Sequence, residues 1–184
     1  MGLFTIWLDE DGADRDNGRD YSYIADIAGL ISSNDEAVMK KINSCIESPS
    51  EYFASCAGRY AERGIDVNKR DKDTLYWIAM VDELEAAEYV LSVDYKEEPS
   101  QVLWTLESIK NYNIMIGSAL SNIKLDDDDD VEAFGAKINA MLGKACVCWI
   151  EIDADCYELA IVTDEVYEKI AQIARDNGHS IVKF

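Results

Sequence analysis

Cys146-Val147-Cys148-Trp149-Ile150-Glu151-Ile152 is followed by Asp153-Ala154-Asp155 and then by Cys156-Tyr157-Glu158-Leu159-Ala160-Ile161-Val162. Cys146 to Ile152 and Tyr157 to Val162 are rich in β-branched, aromatic and thiol side chains, and a short acidic turn separates them. That is the pattern of a β-hairpin. Cys146 and Cys148, at i and i+2, point the same way from a strand, and in a regular strand Trp149 points the other way. Thr163 then caps a helix whose first turn carries Asp164 and Glu165, where the positive end of the helix dipole favours acids. Val166, Ile170, Ile173 and Ala174 recur at helical spacing and face inward. Gly178 ends this helix, and Ser180 to Phe184 reads as a last strand.

Outward from the hairpin, the acidic run Asp126 to Asp130 precedes a helix on Val131, Phe134, Ile138, Met141 and Leu142. Residues 111–125 fit helix or loop equally. Pro99 opens a helix with Val102, Leu103, Leu106 and Ile109 as its stripe. Tyr89 to Asp94 is short and β-rich, hence a strand. Asp71 or Asp73 caps a helix through Leu75, Ile78, Ala79 and about Leu84; Trp77 and Val81 fall on its other flank, so it is buried on more than one side. Ser48-Pro49-Ser50-Glu51 is a capping box, followed by the stripe Tyr52, Phe53, Cys56, Ala57 and Tyr60 and stopped by Gly64. Val38, Met39, Ile42, Cys45 and Ile46 form a further helix behind a Ser33-Asn34 capping signal, and Tyr23, Ile24, Ile27, Ala28 and Ile31 another. Residues 1–8 read as a short strand before an acidic loop, Asp9 to Asp20. The expected fold is α+β: one domain over 1–184, with a helix-rich part (1–87) and a mixed strand and helix part (88–184). In it a small, mostly antiparallel sheet carries helices packed on one face and ends in a hairpin–helix–strand unit.

The 184 residues are 48% hydrophobic and 29% charged with two prolines, a globular composition. Asp and Glu total 37 against 17 Lys and Arg, for a formal charge of −20. That balance argues against direct nucleic-acid binding, whose phosphates require cations, and against anionic membranes. No apolar run approaches the roughly 20 residues of a spanning helix. The first residues carry no basic leader, and Ile6 stands where a myristoylation signal wants Ser or Thr. An odd number of cysteines (Cys45, Cys56, Cys146, Cys148, Cys156) without a leader reads as reduced thiols, so a cytoplasmic location is expected.

The acids are unevenly placed. Residues 126–168 hold thirteen of them against Lys137 and Lys144, a net −11 of the chain's −20. Asp82, Glu83, Glu85, Glu88, Asp94, Glu97 and Glu98 form a second cluster, while Arg59, Arg63, Lys69, Arg70 and Lys72 make a partly basic patch. Such asymmetry either keeps copies of the protein apart or attracts a cationic partner. Trp7, Trp77, Trp104 and Trp149 are core residues or interface anchors; Trp104 lies off its helix's stripe and is the best candidate for the surface.

Reaction chemistry finds little support. No G-x-x-x-x-G-K-[ST] motif is present. Calcium-loop spacing fails from both Asp14 and Asp9. Zinc lacks a closed ligand set, since His179 is the only histidine. His179, just after Gly178, suits a helix C-terminus better than a Cys–His pair. A loose divalent site in Asp126 to Asp130 and a carboxylate pair remain open, though nothing singles out one pair. No catalytic residue, metal or cofactor is therefore assigned.

Ala87 to Glu97, with Val102, Trp104 and Leu106 beyond it, resembles the strand–Asp-aromatic-Lys-Glu–helix core of an uncharacterised family of bacterial domains of unknown function. Tyr95 stands where that family more often has tryptophan. Ile150 to Asp153 and Tyr157 to Val162 resemble its last hairpin. The resemblance spans about half the chain and implies an α+β fold with no established activity. In overall character the chain also resembles bacterial immunity proteins of contact-dependent growth inhibition, which implies a cationic toxin domain, commonly a nuclease, as partner. The expected function is occlusion of such a domain through Asp126, Asp127, Asp128, Asp129, Asp130, Asp153, Asp155 and Glu158, with Trp104 as an anchor. The alternatives are an α+β domain without a toxin partner, or a small hydrolase using carboxylates or a divalent ion.

Overall fold

Alternating side chains of one four-stranded sheet divide the interior into two cores. The computed structural model describes residues 20–67 and 70–184; the strand expected at 1–8, Trp7, Lys69 and nearly all of the Asp9 to Asp20 loop lie outside them. The strands are β1 (Val90–Asp94), β2 (Ala145–Ile150), β3 (Cys156–Thr163) and β4 (Ile181–Lys183), in the order β1-β3-β2-β4. Every pairing is antiparallel. The β2–β3 hairpin is in the register that sets Cys148 opposite Ala160 and Ile150 opposite Glu158. Helix α9 (Asp164–Asp176) carries the chain from β3 to β4, which lies on the other edge of β2. Thr163 caps α9 by accepting from the Val166 N–H.

Cys146, Cys148, Ile150, Ala160 and Val162 face the larger core. They meet α1 (Ser22–Ser32), α2 (Glu36–Glu47), α5 (Lys72–Ala86) and α9. Val147, Leu159 and Ile161 face the second core, formed with α6 (Pro99–Ser108), α7 (Tyr112–Met115) and α8 (Val131–Met141). The α+β class and antiparallel sheet are as the sequence reads, but the helices cover both faces rather than one. The strands carry the reason. Cys146 to Cys148 and Leu159 to Val162 are buried at every position, and an unbroken apolar run needs cover on both sides. Each fully buried aliphatic side chain contributes about 1.5–3 kcal/mol, which favours a second helical layer over an exposed apolar face.

Ser33 and Asn34 are not the start of α2. Both adopt left-handed backbone, with φ of 54° and 58°, and the Asn34 N–H closes the end of α1 on the Gly29 carbonyl. Asp35 is the cap of α2, accepting from Ala37 and Val38 N–H. The Ser48 side chain makes no capping bond, and the helix expected there is broken at Cys56 into α3 (Pro49–Ser55) and α4 (Ala57–Glu62). Asp71 caps α5 by accepting from the Thr74 N–H at 3.0 Å. All ten residues from Leu75 to Leu84 are buried, as Trp77 and Val81 on the second flank require. Residues 111–125 resolve into α7 and a series of turns. No helix among the described residues is long and apolar enough to cross a membrane.

Candidate functional site

The acidic hairpin turn and the Asp126 to Asp130 run border adjoining clefts. One, of about 420 Å³, is lined by Tyr95, Trp149, Asp153, Asp155 and Tyr157. The next, of about 530 Å³, is lined by Glu97, Glu98, Asp127, Asp129, Glu132 and the same Tyr95 and Tyr157. Tyr157 alternates with Glu158 along β3 and so projects to the opposite side of the sheet. Its ring meets Trp149 edge to face, with centroids 5.1 Å apart. Its hydroxyl donates to Glu132 Oε1 at 2.8 Å. Partial burial, and then that acceptor, push the Tyr157 pKa up to about 12, so the phenol stays a neutral donor. Tyr95 is 46% exposed at the junction of the two clefts, with the Lys96 ammonium 4.8 Å from its ring centre.

The five aspartates are not equivalent. Asp126, Asp127 and Asp128 are exposed. Asp129 is paired with Lys137, and that hydrogen bond holds the Lys137 pKa above the usual lysine value. Asp130 accepts from the Ala133 N–H at 2.8 Å and caps α8. Asp153 and Asp155 are exposed at the hairpin turn, where Asp153 takes a left-handed φ of 57°. Two expected contacts differ. Glu158 is only 3% exposed and faces inward, so it is no part of this face. Trp104 is 62% exposed but lines neither cleft. Of the four tryptophans, Trp77 is a core residue, with its indole N–H donating to the Glu151 carbonyl at 2.7 Å.

The second acid cluster divides. Glu97 and Glu98 join the acidic face. Asp82 and Glu83 are buried on α5 and meet the arginines of the basic patch. Arg59 lies 3.6 Å from Asp82 and 3.1 Å from Glu83; Arg63 pairs with Asp82 and lies 3.4 Å from Glu85. Tyr52 donates to Glu83 at 2.6 Å. These opposite charges neutralise each other between α3–α4 and α5 instead of projecting a field. Burial raises the Asp82 pKa, against the pull of Arg63 and Arg59.

Composition alone did not single out Tyr95, Tyr157 or Glu132. The odd-position alternation of β3 was the available signal for Tyr157; Tyr95 and Glu132 join it only through strand pairing and the docking of α8. The five cysteines are free thiols, with Cys45, Cys146 and Cys148 buried. Among the described residues no group of three or more His, Cys, Asp or Glu is placed to hold a metal ion.

No curated protein and no solved structure matches this chain. A family model does, and its span contains the Ala87 to Leu106 core, the C-terminal hairpin and all the residues of the acidic clefts. With residues 24–184 matched, the chain belongs to the family described as Domain of unknown function (DUF6630).

Proposed function

We propose that this protein is a non-enzymatic binding protein that docks a cationic protein domain on its acidic face. In its finer form the reading is a cytoplasmic bacterial immunity protein, of the contact-dependent growth inhibition kind, that occludes a basic toxin domain, a nuclease first among them. One observation carries it. Carboxylates from three separate segments (97–98, 127–132 and 153–155) border two clefts that share Tyr95 and Tyr157. A nuclease groove is positive because it holds phosphates, so an acidic face with concave aromatic ground complements it. Like-signed carboxylates steer a cationic partner and raise its association rate by roughly tenfold to a thousandfold. Tyrosines supply contact area at low entropy cost.

The test looks for a secreted protein with a basic C-terminal domain encoded beside this one, and uses that domain as the partner. The expected result is a 1:1 complex that blocks the toxin's activity and associates more slowly as salt rises. Converting Asp127, Asp128, Asp153 and Asp155 together to Asn should slow association by about tenfold or more. Unchanged binding by that variant would overturn the assigned face, and absence of any complex would overturn the reading.

A further inference from the structure

Asp94 closes the turn that follows β1. Its Oδ1 accepts the Lys96 N–H at 2.9 Å, and its carbonyl accepts the Glu97 N–H at 3.1 Å. Tyr95 sits inside that turn, so its ring is presented to the two acidic clefts by a backbone already fixed. Nearly half of the residue remains in solvent, at 46% exposure.

The carboxylates of the 530 Å³ cleft fall into two groups. Asp129, Asp130 and Glu132 are engaged within the fold, by Lys137, the Ala133 N–H and the Tyr157 hydroxyl. Glu97, Glu98 and Asp127 also line it, and their carboxylates have no ion pair or hydrogen bond among the described residues. Lys96 is the one cation among the residues lining this cleft, and its ammonium lies over the Tyr95 ring, 4.8 Å from the centre. A run of acids alone is a solvated surface. A cation seated on an exposed ring, beside carboxylates with no partner of their own, shows what kind of group this place receives.

Resting on the reading of the acidic face as a docking surface, we propose that the partner's anchor there is an arginine side chain. It stacks on Tyr95 with its N–H groups among Glu97, Glu98 and Asp127, and it displaces Lys96, which holds the place in the free protein. A guanidinium is flat and weakly hydrated, so it can lie on an aromatic face and still direct in-plane donors at carboxylates. An ammonium is a strongly hydrated point charge, and Lys96 already supplies one. The fixed turn keeps the ordering cost of the ring small. Arginine is also the residue that grips phosphate bidentately, so a phosphate-binding groove would present it.

The experiment titrates hexa-arginine and hexa-lysine peptides, equal in charge, into the full chain by calorimetry at physiological ionic strength. Hexa-arginine should bind about threefold tighter or more. Tyr95→Leu should bring the two affinities together, because it removes the ring and leaves the carboxylates. Trp104→Leu, at an exposed aromatic that lines neither cleft, should leave the preference as it is. Lys96→Gln should raise affinity for hexa-arginine by about twofold or more, and by more than Lys144→Gln, which removes an equal charge outside both clefts. A preference that survives Tyr95→Leu, or equal gains from the two lysine variants, would overturn the proposal.

The wild type offers a second measurement. The Lys96 Hε resonances, shielded by the Tyr95 ring in the free chain, should move downfield at saturating hexa-arginine and less with hexa-lysine; unmoved resonances would also overturn it. The two readings fail separately. A basic domain that docks on the acidic face equally well after Tyr95→Leu removes the arginine anchor alone. If no such domain docks while the Tyr95-dependent preference is measured, the functional reading falls and the arginine seat stands.

Discussion

Asn139 satisfies both backbone groups of Val147: its Oδ1 accepts the Val147 N–H at 2.8 Å, and its Nδ2 donates to the Val147 carbonyl at 2.9 Å. The same Nδ2 reaches the Phe184 carbonyl at 3.2 Å. Helix α8 thus continues the hydrogen bonding of β2 just where β4 stops pairing, at Cys148 opposite Lys183. Asn139→Ala leaves two backbone groups of a buried strand residue unmet, and a loss of about 2–4 kcal/mol is expected. Urea unfolding checks this, and an unchanged midpoint would show that the side chain does not hold the strand.

Trp77 lies face to face with His179, with ring centroids 4.1 Å apart and planes 1° from parallel. Its indole N–H also holds the Glu151 carbonyl at the start of the hairpin turn. Trp77→Phe keeps an aromatic face but removes that donor, for an expected cost of about 1–3 kcal/mol. Trp77→Ala should cost about 3–5 kcal/mol through the cavity it opens. Equal thermal shifts for the two variants would contradict the separation of packing from hydrogen bonding.

Glu158 gives a pH dependence of definite sign. Its folded pKa lies above the ordinary value of 4.5, chiefly because burial disfavours the charge. Between that value and its folded pKa the native state binds more protons than the unfolded chain, so its contribution falls as pH rises above 4.5. Glu158→Gln cannot ionise. Its stability relative to wild type should therefore increase from pH 5 to pH 8, read from paired urea titrations. A difference independent of pH would mean that Glu158 ionises as freely in the fold as in the unfolded chain.

Gly135 on α8 is in close contact with the last residue. A Cβ there would sit 2.4 Å from Phe184 Cγ. Gly135→Ala should push Phe184 off the second core and cost about 1–3 kcal/mol despite alanine's better helix propensity. Deleting Phe184 as well should recover much of the alanine penalty. Failure of that recovery would place the strain elsewhere.

The hairpin, α9 and its Thr163 cap, the β1 strand and the burial of α5 on two flanks were all legible because each rests on local spacing: alternation of two, recurrence of three to four, and a cap residue at a fixed offset. Where two local signals compete, spacing alone does not decide between them. Ser33-Asn34 looked like a helix start, but those residues close α1 in left-handed backbone, and Asp35 one step later holds the cap. Cys56 interrupted a stripe that was continuous in sequence.

Sequence by itself determined the sign and size of the charge, the α+β class and the four strands β1 to β4, because composition and periodicity act within a few residues. It could not say which charges cancel. Arg59 and Arg63 looked like a patch and Asp82 and Glu83 like a cluster until tertiary packing set them 3.1–3.6 Å or closer to one another. Nor could it say that Glu158, one residue from the exposed-cleft Tyr157, would turn inward and lose contact with water. Coulomb energy and desolvation depend on distances through space and on what covers each group, and only the folding of distant segments onto one sheet fixes those.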